Sequence, residues 1–359
     1  MMPDNRFIQL HILVSYPPSN PNRDQLGQPK TAIMGGTQRS RISSQSLKRA
    51  WRTSEIWKTD GLGIGKRTRE LFIEKKAGGQ SLYEKLLEKH GEAKAEEYVK
   101  AILKVFAKTA KVKQKAEAPI DEKFIGKEIV TEQPIHFSST EVDRIKKLVD
   151  QLTKEPTKEE LENLLDESPR DIDLAMFGRM IAKRPDKNVE AAVQVSHAIS
   201  INEVEIEDDF FTAVDDLNKH GSAHMGEQEF VSAIYYIYLC IDTQSLLKNL
   251  GNDQKLAKDS LKALINAAAM IAPTGKQNSY AHRAQSFYIL AEKGDAQPRN
   301  LSITFLKAMP ADDPIKAIEQ LNAIKDKFNT AYTKPKSEKE MNLFGEGTLQ
   351  DILDFVGDI

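Results

Sequence analysis

The segment EFVSAIYYIYLCI, residues 229–241, constrains the fold of this chain more than any other stretch. It is apolar at successive positions and rich in β-branched and aromatic residues, which is typical of a central strand buried on both faces. Residues 7–14 (FIQLHILV) are rich in branched side chains and predict a second strand. Residues 15–36, which contain four prolines and three glycines, predict a loop without regular secondary structure. In residues 191–201, apolar side chains fall at every second position, which predicts a strand with one buried face. Residues 285–290 and 301–306 are further candidate strands.

Helical patterns alternate with these strands. One helix is predicted over residues 44–57, with Ser43 or Ser44 as its N-cap, and another over residues 253–271. Without the insertions between them, the elements run strand, helix, strand, strand, helix, strand. This is the βαββαβ order of ferredoxin-like and RNA-recognition folds, so the sequence predicts an α+β protein.

Two insertions and a C-terminal helix complete the predicted organisation. Residues 60–187 consist mostly of polar amphipathic helical patterns, which predict a helical insertion. Residues 202–228 are acidic, with alternating segments and a glycine-containing tip, which predicts a long hairpin that projects from the sheet. A terminal helix is predicted over residues 314–328.

Composition limits the environments and partners of the chain. It has 51 Lys and Arg residues against 53 Asp and Glu, a formal net charge of −2, which excludes a uniformly basic surface but allows a local basic groove. The single cysteine, Cys240, permits neither an intrachain disulfide nor a cysteine-based zinc site, which fits a reducing compartment. The sequence also predicts no membrane span and no secretory signal.

One segment, GGTQRSRISSQSLKRAWR at residues 35–52, is strongly basic and lies in a stretch without acidic residues. The predicted helix places four polar side chains on one face: Gln45, Lys48, Arg49 and Arg52. The glycine pair, the serine hydroxyls and the unpaired N–H groups of the helix N-terminus would add hydrogen-bond donors. The segment therefore predicts a track that binds phosphate groups. A solvated basic helix face explains the same pattern equally well.

Catalytic and metal-binding patterns are weak. GIGKRT at residues 63–68 lacks the glycine and the Ser/Thr that a P-loop requires. His220 and His224 are four residues apart, but the glycine and serine between them favour a loop tip over a metal site. The alternating acidic residues of 203–207 are better explained as the solvated face of a strand. His197 lies either in the core or in a groove. We therefore predict no catalytic residue, metal or cofactor.

Six segments in the same order carry a resemblance to a known family. They are HILVSYPPSNPNRD, MGGTQRSRISSQSLKRAWR, RDIDLAMFGRMIA, AAVQVSHAIS, EDDFFTAVDDLN and HMGEQEF. Together they resemble the CasC family, the backbone subunits of type I-E CRISPR Cascade complexes. The resemblance implies a non-catalytic protein whose copies polymerise head to tail along the spacer of a CRISPR RNA. It also implies that the bound guide is presented for pairing with target DNA, and that other Cascade subunits are partners in the prokaryotic cytoplasm.

The resemblance also implies a division of the chain into a palm of RNA-recognition fold, a helical finger and a β-hairpin thumb. Residues 1–59 would form the first part of the palm, with an RNA-gripping loop and helix. Residues 60–187 would form the finger, 188–201 a palm strand and 202–228 the thumb. Residues 229–359 would complete the palm and add a C-terminal helix.

The RNA contacts of the family map onto four segments of this sequence. The matching residues are Arg23, Lys30, Arg41, Ser43, Gln45, Lys48, Arg49, Arg52, Phe177, Gly178, Arg179, Met180, Lys276 and Gln277. Most of these residue types bind phosphate and sugar rather than base edges, as a carrier of any guide sequence must. The length and composition of residues 60–160 depart from the family, which leaves finger contacts to target DNA undefined.

Two other functions fit the residues. One is an RNA-processing endonuclease on a ferredoxin-like fold, with His197 or another histidine as general base. Cleavage of repeat RNA that is lost on replacing a histidine would distinguish it. The other is a single-strand-binding protein outside CRISPR immunity, for which the absence of a neighbouring CRISPR array and Cascade genes would be the evidence.

Overall fold

The structure is a computed structural model that describes residues 5–58, 62–73, 80–108, 135–166, 168–214 and 222–359. Its contacts divide the chain into two compact units. Unit 1 comprises Met1–Asp60, Val193–Gln244 and Gln254–Ile359. Unit 2 comprises Gly61–Ala192 and Ser245–Asp253.

The described secondary structure mixes strands and helices, which confirms the predicted α+β class. The strands are β1 (Phe7–Ser19), β2 (Thr31–Met34), β3 (Thr37–Ile42), β4 (Lys66–Arg67), β5 (His136–Phe137), β6 (Val193–Val195), β7 (Ala198–Ser200), β8 (Glu207–Val214), β9 (Ser222–Asp242), β10 (Ser286–Gly294) and β11 (Ser337–Asn342). The α-helices are α1 (Ser44–Arg52), α2 (Thr68–Phe72), α3 (Leu82–His90), α4 (Glu92–Phe106), α5 (Ser139–Gln151), α6 (Lys158–Glu162), α7 (Ile172–Phe177), α8 (Thr243–Asn249), α9 (Gln254–Met270), α10 (Gln277–Tyr280), α11 (Pro314–Ala331) and α12 (Leu349–Gly357).

Unit 1 is built on an antiparallel sheet in which β9 and β1 are neighbours near the centre. The strand order is β11-β10-β1-β9-β7-β3-β2, and β6 and β8 pair with further lengths of β9. The β1–β9 register runs from Phe7 opposite Asp242 to Ser19 opposite Val231. β9 alone is 21 residues long, so one strand serves both the sheet and the hairpin with β8. The predicted central strand is therefore confirmed and extended.

Both faces of this sheet are covered. On one face, Tyr236, Tyr238 and Tyr288 are buried in a cluster that includes Phe305 and, from α11, Leu321. The side chains that alternate with these on β9, Ile237, Leu239 and Ile241, are also buried but lie outside that cluster. No side chain of α1 or α9 belongs to the cluster either, and these two helices contact each other. The tyrosines of the sheet are therefore packed in the core and form no exposed platform for stacking bases.

The region before α1 is more regular than the sequence predicts. β1 continues to Ser19, and β2 and β3 form a hairpin where an irregular loop is expected. Its two-residue turn consists of Gly35 (φ 60°) and Gly36 (φ 82°), a conformation that glycine adopts without strain. A Cβ on Gly35 would collide with the carbonyl oxygen of Leu306. The glycine pair, predicted as a loop beside the N-terminus of α1, is thus the tip of a hairpin, and β3 separates it from the helix.

Other boundaries also differ from the sequence predictions. The predicted helix over 44–57 ends at Arg52 and is followed by a separate 3₁₀ helix, Glu55–Lys58. The predicted strand over 301–306 is wrong, because that segment contains a 3₁₀ helix, Ser302–Phe305. Its apolar residues are buried against one face of the sheet but form no strand. A short apolar run shows that a segment is buried and does not by itself distinguish a strand from a helical turn.

Unit 2 is mostly helical in its described part. Its core contains the aromatic side chains Phe72, Tyr98, Phe106 and Phe137, which are almost fully buried. Reciprocal Ser/Thr–Glu capping boxes start three of its helices, α3, α5 and α6. The polar amphipathic patterns of the sequence therefore do form helices with one buried face.

A buried ion pair ties two segments of unit 2 together. Arg179 Nη1 lies 2.6 Å from Glu141 Oε2, and the two side chains are 2% and 0% exposed. Glu141 also accepts hydrogen bonds from the backbone N–H groups of Ser138 and Asp166. Burial raises the pKa of Glu141, and the pairing with Arg179 opposes that rise. Arg179 was predicted to contact RNA, but its guanidinium has a structural partner inside unit 2.

We expect Glu141→Gln to destabilise the protein by roughly 3–5 kcal/mol, because it leaves the Arg179 cation buried without its counter-ion. Urea unfolding followed by circular dichroism measures the loss. Asp143→Asn is the control, because its ion pair with Lys146 is exposed and should contribute less than about 1 kcal/mol. Equal stability of the two variants would contradict a structural role for the buried pair.

Candidate nucleic-acid interface

The N-terminus of α1 is capped as the sequence predicts. Ser43 is the N-cap, and its Oγ accepts a hydrogen bond from the backbone N–H of Ser46 at 3.3 Å. The backbone N–H of Ser43 donates to Asn22 Oδ1 at 2.9 Å, which joins the helix start to the loop after β1. Because the Ser43 hydroxyl is buried and engaged in capping, its main contribution is to position α1.

The polar face of α1 is narrower than predicted. Gln45 and Arg49 are exposed, and Lys48 is half-buried, with its pKa lowered by burial. Arg52, however, is 7% exposed and lies with the buried residues of the helix. It is the last residue of α1, where the chain turns into the following 3₁₀ helix, so a helical projection does not describe its surroundings. The predicted exposure of Arg52 is wrong.

A cleft of about 570 Å³ brings distant parts of the sequence together. Its walls are the loop of residues 21–27, the Ser46 and Arg49 region of α1, and Thr274 with Gly275. Arg23 and Arg49 thus line one cavity, with Lys276 following directly in the chain. A Cβ on Gly275 would collide with the carbonyl oxygen of Pro21, so this close approach requires glycine.

The loops of the cleft are anchored to the first part of β9. Lys276 Nζ donates to Gln228 Oε1 at 3.0 Å, and Gln28 Nε2 donates to Glu229 Oε1 at 2.7 Å. Lys276 has a left-handed backbone (φ 52°), an unusual conformation for a residue with a side chain. It precedes Gln277, the first residue of the short helix α10. The predicted contact residues of this loop are therefore adjacent to the hairpin of β8 and β9.

A second group of basic residues surrounds the start of α1. Arg41 Nη1 lies 3.4 Å from His197 Nδ1, and the backbone N–H of Ser44 donates to the same nitrogen at 3.3 Å. The pKa of His197 is lowered, chiefly by burial and then by the nearby Arg41 and Lys30 charges. His197 is nevertheless exposed, so it belongs to the surface and not to the core.

The basic residues in and near the sequence run have different surroundings. Arg39 is fully buried and donates to the backbone carbonyls of Ser200, Ile201, Phe305 and Leu306, so it holds separate segments together. Within the described residues, four cations of this region that are exposed or half-buried form no ion pair: Arg23, Lys30, Arg41 and Arg49. A surface with cations that have no carboxylate partner is suited to an anionic ligand.

Four predicted contact residues belong to unit 2. Phe177 ends α7, and Gly178 follows it with a φ of 78° and no room for a Cβ beside the Val189 carbonyl oxygen. Arg179 makes the buried ion pair, whereas Met180 is 65% exposed. Of this set, Met180 therefore presents the most accessible side chain.

The predicted hairpin is present in the part of the chain that the structure describes. β8 pairs with β9, and the register places Phe210 and Met225 on one face, where both are more than half exposed. Residues 215–221, which include His220, lie outside the described residues, as does the side chain of His224. Among the described residues, no three His, Cys, Asp or Glu side chains cluster as metal ligands, and no helix is long and apolar enough to cross a bilayer.

Comparison with known proteins identifies the family. No curated protein sequence matches the chain. One solved chain, of a "CRISPR RNA-guided surveillance complex, pre-nicking", shares its fold with a TM-score of 0.75 and 24% identity over 98% of this chain and 99% of that one. A second, of a "CRISPR RNA-guided surveillance complex", has a TM-score of 0.60 and 22% identity over 98% of each chain. The sequence model of the CT1975-like proteins, a Cas family, matches residues 8–352. The chain therefore belongs to the CT1975-like family of Cas proteins.

Proposed function

We propose that this protein is a non-catalytic subunit that binds CRISPR RNA and forms the backbone of a Cascade-type surveillance complex. Its family and the fold that it shares with chains of RNA-guided complexes support this function. The observation that carries it is the set of unpaired surface cations around α1, Arg23, Lys30, Arg41 and Arg49. They come from different segments and meet at the capped start of one helix and the cleft beside it.

The chemistry of this surface fits a carrier of arbitrary guide sequences. Guanidinium and ammonium groups neutralise phosphates without reading bases. The tyrosines on one face of the sheet are buried under α11, so bases are not held there by stacking. A guide bound in this way keeps its base edges free to pair with target DNA.

We further propose that unit 1 is a ferredoxin-like palm, unit 2 the finger and the β8–β9 hairpin the thumb. In the core of the sheet, α1 connects β1 to the β6–β7 side, α9 connects β9 to β10, and the order is β10-β1-β9-β7. This arrangement supports a split βαββαβ topology. A head-to-tail contact between copies would give an open helical filament, to which the exposed Phe210 and Met225 of the hairpin would contribute.

We also propose that the complex is of type I-E, as the sequence resemblance implies. Its partners would be target DNA and other Cascade subunits. An electron micrograph of the protein with its co-purified RNA tests the filament directly. Regular helical particles with CRISPR RNA are the expected result. A monomer that copurifies with no RNA would contradict the proposal.

Replacing Arg23, Arg41 and Arg49 together by Ala should weaken RNA binding to a similar extent for unrelated single-stranded sequences. The slope of log K against log salt should become shallower by about 0.7 for each phosphate contact removed. Fluorescence anisotropy over a salt series measures both effects. Lys307, Lys316 and Lys327, all exposed, provide a matched triple Ala control that changes the net charge equally. Losses that depend strongly on sequence would contradict phosphate binding.

Arg49→Ala and Arg52→Ala should have different effects, although the sequence places both on one helix face. The Arg49 side chain is exposed, so its loss should weaken RNA binding and leave the melting temperature unchanged. The Arg52 side chain is buried, so its loss should lower stability by about 1–3 kcal/mol. Thermal melts and RNA titrations of both variants provide the comparison. Identical profiles would contradict this separation.

A further inference from the structure

We infer that His197 is an additional RNA contact, in which the ring stays neutral and its Nε2–H donates a hydrogen bond to an oxygen of the sugar–phosphate backbone. The inference rests on the proposed function and adds a residue to its interface. His197 lies on the surface between β6 and β7, beside Arg41 on β3 and the start of α1.

The hydrogen bonds of Nδ1 determine the tautomer of the His197 ring. Two donors approach Nδ1, the backbone N–H of Ser44 at 3.3 Å and the guanidinium of Arg41 at 3.4 Å. Neither group can accept a hydrogen bond in return, since an arginine side chain and a backbone N–H only donate. Nδ1 must therefore carry the lone pair, and in the neutral ring the proton is then on Nε2.

The groups around His197 disfavour a positive charge on its ring. The charged groups that face it, Arg41 from β3 and Lys30 just before β2, are both cations. The ring also faces the positive N-terminal end of α1. The other residues around it are uncharged: Met34, Ser196, Ile199, Ser200, Tyr236, Asn300, Ser302 and Phe305. Burial and these cations lower the pKa of His197. Protonation of Nδ1 would also direct its N–H against the two donors that approach it, the Ser44 N–H and the Arg41 guanidinium. The ring is therefore neutral at pH 7.

The His197 ring is accessible to a ligand. His197 is exposed and lines the mouth of a pocket of about 260 Å³. In the described part of the chain, Nε2 has no hydrogen-bond partner. The Nε2–H lies near Arg41 and Lys30, two cations that form no ion pair, and no carboxylate competes for these donors. Such an arrangement suits a polyanion that is rich in oxygen atoms. The same arrangement disfavours His197 as the general base of an endonuclease, because neither of its ring nitrogens keeps a free lone pair for taking a proton from RNA.

His197→Asn separates the two functions of the ring. The Asn Oδ1 can replace Nδ1 as the acceptor for the Ser44 N–H, whereas the Nε2–H donor is lost. We expect the full-length variant to keep the wild-type melting temperature and to bind a fluorescent oligouridylate about tenfold more weakly, the effect of one hydrogen bond to a charged group. His197→Ala, which removes both functions, should weaken binding and also lower the melting temperature.

Two further measurements decide the protonation state. In ¹⁵N NMR spectra, the His197 ring should show a proton on Nε2 and a lone pair on Nδ1, and the Nε2–H signal should shift when oligouridylate is added. The ratio of wild-type to His197→Asn affinity should stay constant between about pH 7 and 8.5, because the ring contributes as a neutral donor. A ratio that grows as the pH falls within this range, or a proton on Nδ1, would overturn the inference.

The outcomes also separate this inference from the proposed function. If Arg41→Ala and Arg49→Ala weaken oligouridylate binding but His197→Asn does not, the inference fails and the proposed function stands. If none of the three variants weakens binding, the proposed function itself fails. Weakening in all three, with the melting temperature retained in His197→Asn, supports both.

Discussion

The pairing of β9 with β1 is the interaction on which the rest of this structure depends. β9 is buried on both faces in its second half, and its register with β1 fixes the centre of the sheet. The same strand continues for 21 residues into the hairpin with β8. Gln228 and Glu229, between these two parts, hold the loops of the cleft. One continuous strand thus forms the centre of the core, one side of the hairpin and the anchor of the loops that carry the basic surface.

The basic surface depends on this framework in two ways. Buried polar groups, such as Arg39 with its four carbonyl partners, hold the β2–β3 hairpin against the end of β7 and the segment after β10. The cap formed by Ser43 and Asn22 sets the start of α1, where Arg41 and His197 meet. Because these supports are satisfied within the protein, the remaining cations are available for a ligand. Rigid placement of this kind lets flexible arginine side chains bind a backbone of any base sequence.

Several elements follow directly from local patterns. The apolar run of β9 and the branched residues of β1 predict strands. β-Branched and aromatic residues favour strands, and a run that is apolar at successive positions is typical of a strand buried on both faces. The predicted helix over 253–271 corresponds closely to α9, since its apolar face is long and regular. The β2–β3 hairpin was missed because its polar residues, TQRSRI, do not alternate, and the segment 301–306 was misassigned because an apolar run can be buried without pairing.

The sequence by itself determined the α+β class, an N-cap at Ser43 or Ser44 and the existence of a basic segment, because each depends mainly on local residue patterns. Only the tertiary structure decided which cations of that segment reach the surface. Arg39 and Arg52 are buried and Arg179 is paired, whereas Arg41 meets a histidine 156 residues away. The reason is that exposure and pairing depend on contacts between residues far apart in the sequence. Arginines with the same chemistry are therefore buried, paired or exposed according to which segments pack over them.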